Sequence, residues 1–195
     1  MVTPPRFDGA RLRAWAQRAA AELDRRRVEI NELNVFPVPD ADTGSNMAHT
    51  MAAAVAATEA LPADASASQV AEALAQGAVH GARGNSGVVL SQVLRGLAQS
   101  MVEETAGGAV VAEALAAAVR FADRAIAEPV EGTVITVLRA AAVAAQEAVA
   151  EAGGAPSISK VAAAATEAAR VALANTPSQL AALRDTITEL RRDAA

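Results

Sequence analysis

Thr133-Val-Ile-Thr-Val-Leu-Arg-Ala-Ala-Ala-Val-Ala-Ala-Gln-Glu-Ala-Val-Ala-Glu151 decides the fold class of this chain. Neither glycine nor proline interrupts it, and its commonest residue is the best helix former. Alanines recur at Ala-x-x-x-Ala spacing, which stacks small side chains on one helix face and lets a neighbouring helix come close. Turn residues bound the run on both sides, Pro129-Val130-Glu131-Gly132 before it and Gly153-Gly154-Ala155-Pro156 after it.

The same composition extends along all 195 residues. By count, roughly 28 % of the chain is alanine, which is ordinarily one of several common residues. Aromatic residues make up 2 %, so the β-branched and aromatic material that sheets favour is scarce. An all-α domain is expected over residues 1–195, because no segment between the helical runs is long or polar enough to mark a boundary. Without cysteine there is no disulfide framework, thiol nucleophile or Cys-based zinc site.

Eight helical segments are expected. Asp8 caps the first, whose apolar stripe is Leu12, Trp15, Ala19 and Leu23. The second runs from about Ser45 to Leu61. Ser66 and Gln69 form a capping box for the third, which ends near His80. The fourth spans Val88 to about Glu104, and the fifth follows Gly107-Gly108 and ends near Glu128. The sixth is the Ala-rich run above, and the seventh covers Ser159 to Asn175. Thr176-Pro177-Ser178-Gln179 combines a cap, a first-position proline and a third-position glutamine, which opens an eighth helix reaching Arg192.

Charge narrows the function classes. The net charge is −5, and no basic stripe interleaved with aromatics is present, so nucleic acid is not an expected partner. Arg25-Arg26-Arg27 reads as a solvated helix face. The Ala-rich runs carry too many Glu, Gln and Arg residues for a membrane span, and Met1 to Arg6 lacks the apolar core of a signal peptide. Stable membrane insertion is not expected, and the cytoplasm is the expected location.

Chemistry is concentrated where alanine gives way to polar residues. In Asn34-Val-Phe-Pro37-Val-Pro39-Asp40-Ala-Asp42-Thr43-Gly44-Ser45-Asn46-Met47, two aspartates lie two residues apart in a proline-framed loop. In an extended backbone such residues project to one side, and converging carboxylates repel unless a cation or proton intervenes. Oxygen ligands alone suit Mg²⁺ or Ca²⁺, but the spacing is not that of an EF-hand. Thr43-Gly44-Ser45-Asn46 then opens a helix, whose free amides and positive dipole end favour an anion. The plain alternative is that Asp42 or Thr43 caps this helix.

A second loop, Gly81-Ala-Arg-Gly84-Asn85-Ser86-Gly87, also opens a helix and offers amides and side chains to phosphate. It is neither a P-loop nor a dinucleotide fingerprint, and a tight turn is its plain reading. In the third, Glu131-Gly132-Thr133-Val-Ile-Thr136, Gly132 leaves the backbone accessible at a helix start, and the threonines are expected to bond back to the preceding turn. His49 follows the aspartates by one helix turn or two, and His80 ends a helix, where the dipole alone favours it.

Taken together and in order, these three motifs resemble the nucleotide-binding domain of bacterial fatty acid kinase, related to the ATP-binding subunit of dihydroxyacetone kinase. Leu173-Ala-Asn-Thr176-Pro177-Ser-Gln-Leu180 resembles that domain's last helical connection. The resemblance implies a barrel of eight amphipathic antiparallel helices with ATP at one end and two Mg²⁺ ions bridging its phosphates. It makes Asp40 and Asp42 metal ligands and places Asn34 near a third acidic ligand of the dihydroxyacetone kinase branch. Thr43 stands where that branch has histidine. Gly44, Ser45 and Asn46, then Gly84, Asn85, Ser86 and Gly87, would line the phosphates, with Gly132, Thr133 and Thr176 along the nucleotide. The implied acceptor is a fatty-acid carboxylate carried by a partner protein, which needs no general base. A dihydroxyacetone-type kinase and a nucleotide sensor without transfer are the alternatives, and the sequence leaves a homodimer open. Three departures stand out: the glycine-rich closing loop and the partner-binding domains of the family are not found, and His80 replaces a residue that is usually apolar.

Overall fold

A computed structural model describes residues 8–34, 39–102, 107–126, 130–153 and 156–180. Among them are eight α-helices and no strand: α1 (Gly9–Arg25), α2 (Arg27–Glu32), α3 (Thr43–Ala57), α4 (Ala67–Gly81), α5 (Gly84–Ser100), α6 (Gly108–Ala125), α7 (Val134–Glu151) and α8 (Ile158–Gln179). The all-α expectation holds. Local caps fix several starts where the sequence placed them. Asp8 accepts the Arg11 amide at 2.9 Å. The capping box at α4 is complete, with Gln69 N–H donating to Ser66 Oγ at 3.2 Å and Ser66 N–H to Gln69 Oε1 at 2.9 Å.

Four boundaries differ from expectation. The first helical segment breaks at Arg26 into α1 and α2. Glu22 accepts hydrogen bonds from both Arg25 and Arg26 around this break, so the arginine cluster is the solvated face expected of it. The helix of the aspartate loop ends at Ala57 rather than Leu61. α5 begins at Gly84 rather than Val88, because a glycine at φ +57 can enter the first turn where another residue would be strained.

The fourth difference is at Pro177. No new helix starts there; α8 runs through it to Gln179, and the stretch toward Arg192 lies outside the described residues. Proline removes the N–H that would bond the carbonyl four residues back, here Leu173. The Thr176 hydroxyl donates to that same Leu173 oxygen at 2.8 Å and replaces the missing donor.

Helices adjacent in sequence from α3 to α8 pack side by side. Short connections make such neighbours antiparallel. One cluster joins Leu12 and Ala16 of α1 to Met51, Ala54, Val70, Leu74 and Leu94 of α3, α4 and α5. A second joins Ala112, Ala145 and Val161 of α6, α7 and α8. Val89, Ala122 and Ile135 connect the two halves. Among the described residues α1, α2 and α3 make no contact with α7 or α8, so the closure of a barrel is not among the observed packings. On α1 the buried stripe is turned by one residue from expectation: Ala16 is fully buried and Trp15 is 38 % exposed.

The antiparallel order has one consequence for chemistry. The first turns of α3, α5 and α7 lie at one end of the bundle, with the last turns of α4, α6 and α8. That end collects all three polar loops.

Candidate functional site

The loop before α3 differs in shape from the extended segment expected. Ala41, between the two aspartates, has φ +54, a left-handed conformation that alanine seldom adopts. The alternation argument for converging carboxylates therefore does not apply there. Local hydrogen bonds hold the loop instead. Asn34 Nδ2 donates to Asp40 Oδ1 at 3.2 Å, and the Thr43 hydroxyl donates to Asn34 Oδ1. Both ends of the Asn34 amide are thus engaged by protein, tying the end of α2 to the start of α3.

Asp42 occupies the N-cap position of α3, yet its side chain makes no capping hydrogen bond. Thr43 does not cap either, since its hydroxyl is turned to Asn34. The plain capping alternative therefore does not account for these residues. Neither Asp40 nor Asp42 forms an ion pair among the described residues. Two carboxylates at an exposed helix start, without a protein cation, form an oxygen donor set suited to a hard divalent ion. No group of three or more His, Cys, Asp or Glu side chains able to hold a metal occurs among the described residues. Such a pair fits Mg²⁺, which commonly takes one or two carboxylates and completes its shell with water and phosphate oxygens.

Asn31 escaped the sequence reading. Its Oδ1 accepts the Ser45 amide at 3.1 Å, and its Nδ2 donates to Ser45 Oγ at 3.0 Å. This fork from α2 satisfies one orphan donor of α3, which leaves the amides of Thr43 and Gly44 as that turn's remaining donors. Gly44 is buried, and a Cβ there would meet Asn31 and the Arg27 carbonyl. Spacing of three between Asn31 and Asn34 was the available signal, since it puts both on one side of a helix end.

The second loop is locked to the first. The Asn46 amide fills the space beside Gly84, and the Thr50 hydroxyl lies 2.5 Å from where a Cβ of Gly87 would be. Asn85 is exposed and Ser86 half-buried in the same first turn of α5. The structure thus brings Thr43 to Asn46 and Gly84 to Gly87 together.

At the start of α7 the geometry is more closed than expected. Gly132, at φ +81, is buried, with Leu180 and Gln179 at the end of α8 occupying the space a side chain would take. Its N–H donates to Thr136 Oγ1 at 3.0 Å, so this backbone is not open. Thr136 bonds forward into the loop, donating to Glu131 Oε2 at 2.6 Å, while Thr133 donates to the Val130 carbonyl at 2.7 Å. Arg139 links Glu131 to Asp123 of α6, at 2.7 and 2.8 Å. The hydrogen bond to Asp123, ahead of the attraction of both carboxylates, raises the Arg139 pKa above its ordinary value. Thr176 is buried, with its hydroxyl committed to the Leu173 carbonyl.

The histidines are not drawn into this end. His49 is exposed on α3, and His80 lines a separate open groove between α4, α5 and α6 with Arg95 and Phe121. No described helix is long and apolar enough to cross a membrane.

Comparison with known proteins agrees with the site's position in the fold. Protein YloV of Bacillus subtilis is 37 % identical over 180 residues, covering 92 % of this chain and 32 % of that protein. An uncharacterized protein of Staphylococcus saprophyticus is 37 % identical over 184 residues, with the same coverage of 92 % and 32 %. A Staphylococcus aureus protein is 40 % identical over 119 residues, or 60 % of this chain. The chain spans about a third of the length of the first two relatives. A family model described as the DAK2 domain matches residues 37–192, from the aspartate loop through α8. The chain belongs to the DAK2 domain family, that of dihydroxyacetone kinase, and is a kinase-related domain.

Proposed function

We propose that this domain binds ATP with two Mg²⁺ ions and transfers the γ-phosphate to the carboxylate of a fatty acid presented by a partner protein. One observation carries the reading. The turn that follows Asp40 and Asp42 is interlocked with the first turn of α5, so a carboxylate pair and two helix N-termini share one end of the bundle. Helix N-termini favour phosphate, and carboxylates attract the cations that accompany it.

In this reading Asp40 and Asp42 hold the metal, and Asn34 orients Asp40 through its amide. Magnesium, when bound, neutralises charge on the phosphoryl group in transfer. The amides of Thr43 and Gly44 and the Gly84–Gly87 turn orient the phosphates, and the buried Gly132 turn supports that end from α7. No lysine stands in any of the three loops, which leaves charge neutralisation to the metal. Positioning and electrostatics do most of the work in phosphoryl transfer, and an ionised carboxylate acceptor requires no general base. The resemblance to fatty acid kinase, with threonine rather than histidine at position 43, favours this acceptor over dihydroxyacetone.

Calorimetry with ATP in the presence of Mg²⁺ tests the binding step. Saturable binding by the wild type and its loss in Asp40→Ala plus Asp42→Ala are expected; equal binding by both proteins would refute the assignment. A single-turnover assay with labelled ATP, fatty acid and partner separates transfer from nucleotide sensing.

A further inference from the structure

The Thr50 hydroxyl lies where the first two loops meet. Thr50 is in α3, about two turns beyond Asp42, and is fully buried. Its Oγ1 donates to the Asn46 carbonyl at 2.7 Å, the usual back-bond of a helical threonine. The same oxygen accepts the Arg83 amide at 3.3 Å, from the two-residue link between α4 and α5. The Gly81 carbonyl, at the end of α4, stands at 3.5 Å as a longer alternative acceptor. Gly87 completes the ring of contacts, because a Cβ there would lie 2.5 Å from Oγ1. One turn earlier on the same helix, the Asn46 amide fills the space beside Gly84.

A back-bond to Asn46 is all that a buried threonine needs to satisfy its donor. Accepting the amide of a residue 33 positions away is a separate feature. It fixes where α5 begins relative to the helix that starts at Asp42.

We propose that Thr50 is a positioning residue whose hydroxyl sets the Gly84–Gly87 turn in register with the Asp40–Asp42 loop. This role rests on the Mg²⁺·ATP reading above. Carboxylates act on phosphate only through the metal, so the distance between the two turns must match one metal-bound phosphate chain. Misplacement of about 1 Å at such a site costs up to about 100-fold.

Thr50→Val keeps the shape and removes the hydroxyl, whereas Thr50→Ser keeps the hydroxyl. Calorimetric titration of each with Mg²⁺·ATP, thermal unfolding, and hydrogen exchange at the Arg83 amide form the test. Thr50→Val is expected to weaken Mg²⁺·ATP by about 10-fold or more and to lose protection at Arg83. Thr50→Ser is expected to restore both. A purely structural role predicts a lower melting temperature in Thr50→Val with unchanged Mg²⁺·ATP affinity of the folded protein, and that result overturns the proposal. If the wild type binds no Mg²⁺·ATP, the nucleotide reading falls and this role with it. If the wild type binds and Thr50→Val binds equally, only the role of Thr50 falls. Should Thr50→Val fail to fold, Gly87→Ala presses a methyl against Oγ1 with Thr50 in place; the same loss of affinity supports the interlock, and wild-type affinity overturns it.

Discussion

Gly96→Ala sets two opposed effects against each other in the tightest seam of the bundle. Gly96 lies inside α5 and is buried against α6. In an isolated helix the substitution is favourable by about 1 kcal/mol, since glycine is the poorer helix former. In the fold, the new Cβ would stand 2.5 Å from Ala118 N, 2.6 Å from Ala114 O and 2.9 Å from Ala118 Cα. All three are main-chain atoms, which cannot rotate aside as a long side chain can. Restoring ordinary contact needs α5 and α6 to separate by about 0.9 Å, and a gap of that size forfeits a quarter to a half of each dispersion contact. Ala114, Ala117, Ala118 and Leu94 are buried in this region and would feel the change. Overpacking costs about 1–3 kcal/mol, and rigid neighbours put this site at the upper end. The net effect is a destabilisation of about 2 kcal/mol, or about 4–8 °C in melting temperature for a domain of this size. Thermal unfolding followed by circular dichroism measures it. An unchanged or raised melting temperature would show that the seam opens freely and that the small residues are not required there.

Two further outcomes follow from the caps and charges. Ser66→Ala removes one half of the capping box and is expected to destabilise the domain by about 1 kcal/mol, read as a lower urea midpoint at unchanged slope. The Glu22 carboxyl is held down to about 2 from an ordinary 4.5, first by the hydrogen bond from Arg25 and then by that from Arg26. Because its folded pKa is the lower one, its contribution is present above 4.5 and is lost as pH falls toward 2. An NMR titration at low salt should place its midpoint well below 4.5, and Arg25→Ala plus Arg26→Ala should return it; this exposed group should also drift upward with added salt. A midpoint at the ordinary value in low salt would dismiss the fork.

The parts of the site that were readable were those made by neighbours in sequence. The polar breaks at Asp40–Asn46, Gly84–Gly87 and Gly132 stand out against an alanine background, and each does open a helix. What went unread depends on distant partners. Asn31 reaches Ser45 across 14 positions, and Arg139 reaches Asp123 across 16. Gly132 read as accessible backbone but is covered by Leu180, 48 positions along the chain, which no local pattern encodes. Pro177 read as a helix start because capping rules see four residues at a time. In the structure Thr176 supplies the hydrogen bond that lets the helix continue.

Helix content was determined by the sequence itself, because alanine propensity, capping side chains and glycine breaks act within one or two turns. Asp8 and Ser66 cap the helices they were expected to cap, and the Thr133–Glu151 run is helical from Val134. Which helices touch, and which face each buries, was decided only in three dimensions. Alanine is too small and too uniform to mark a face, so Ala16 rather than Trp15 lies in the core. The interlock of Thr50 and Asn46 with the start of α5 was decided there as well, since a hydroxyl's choice of partner depends on what packing brings within 3.5 Å.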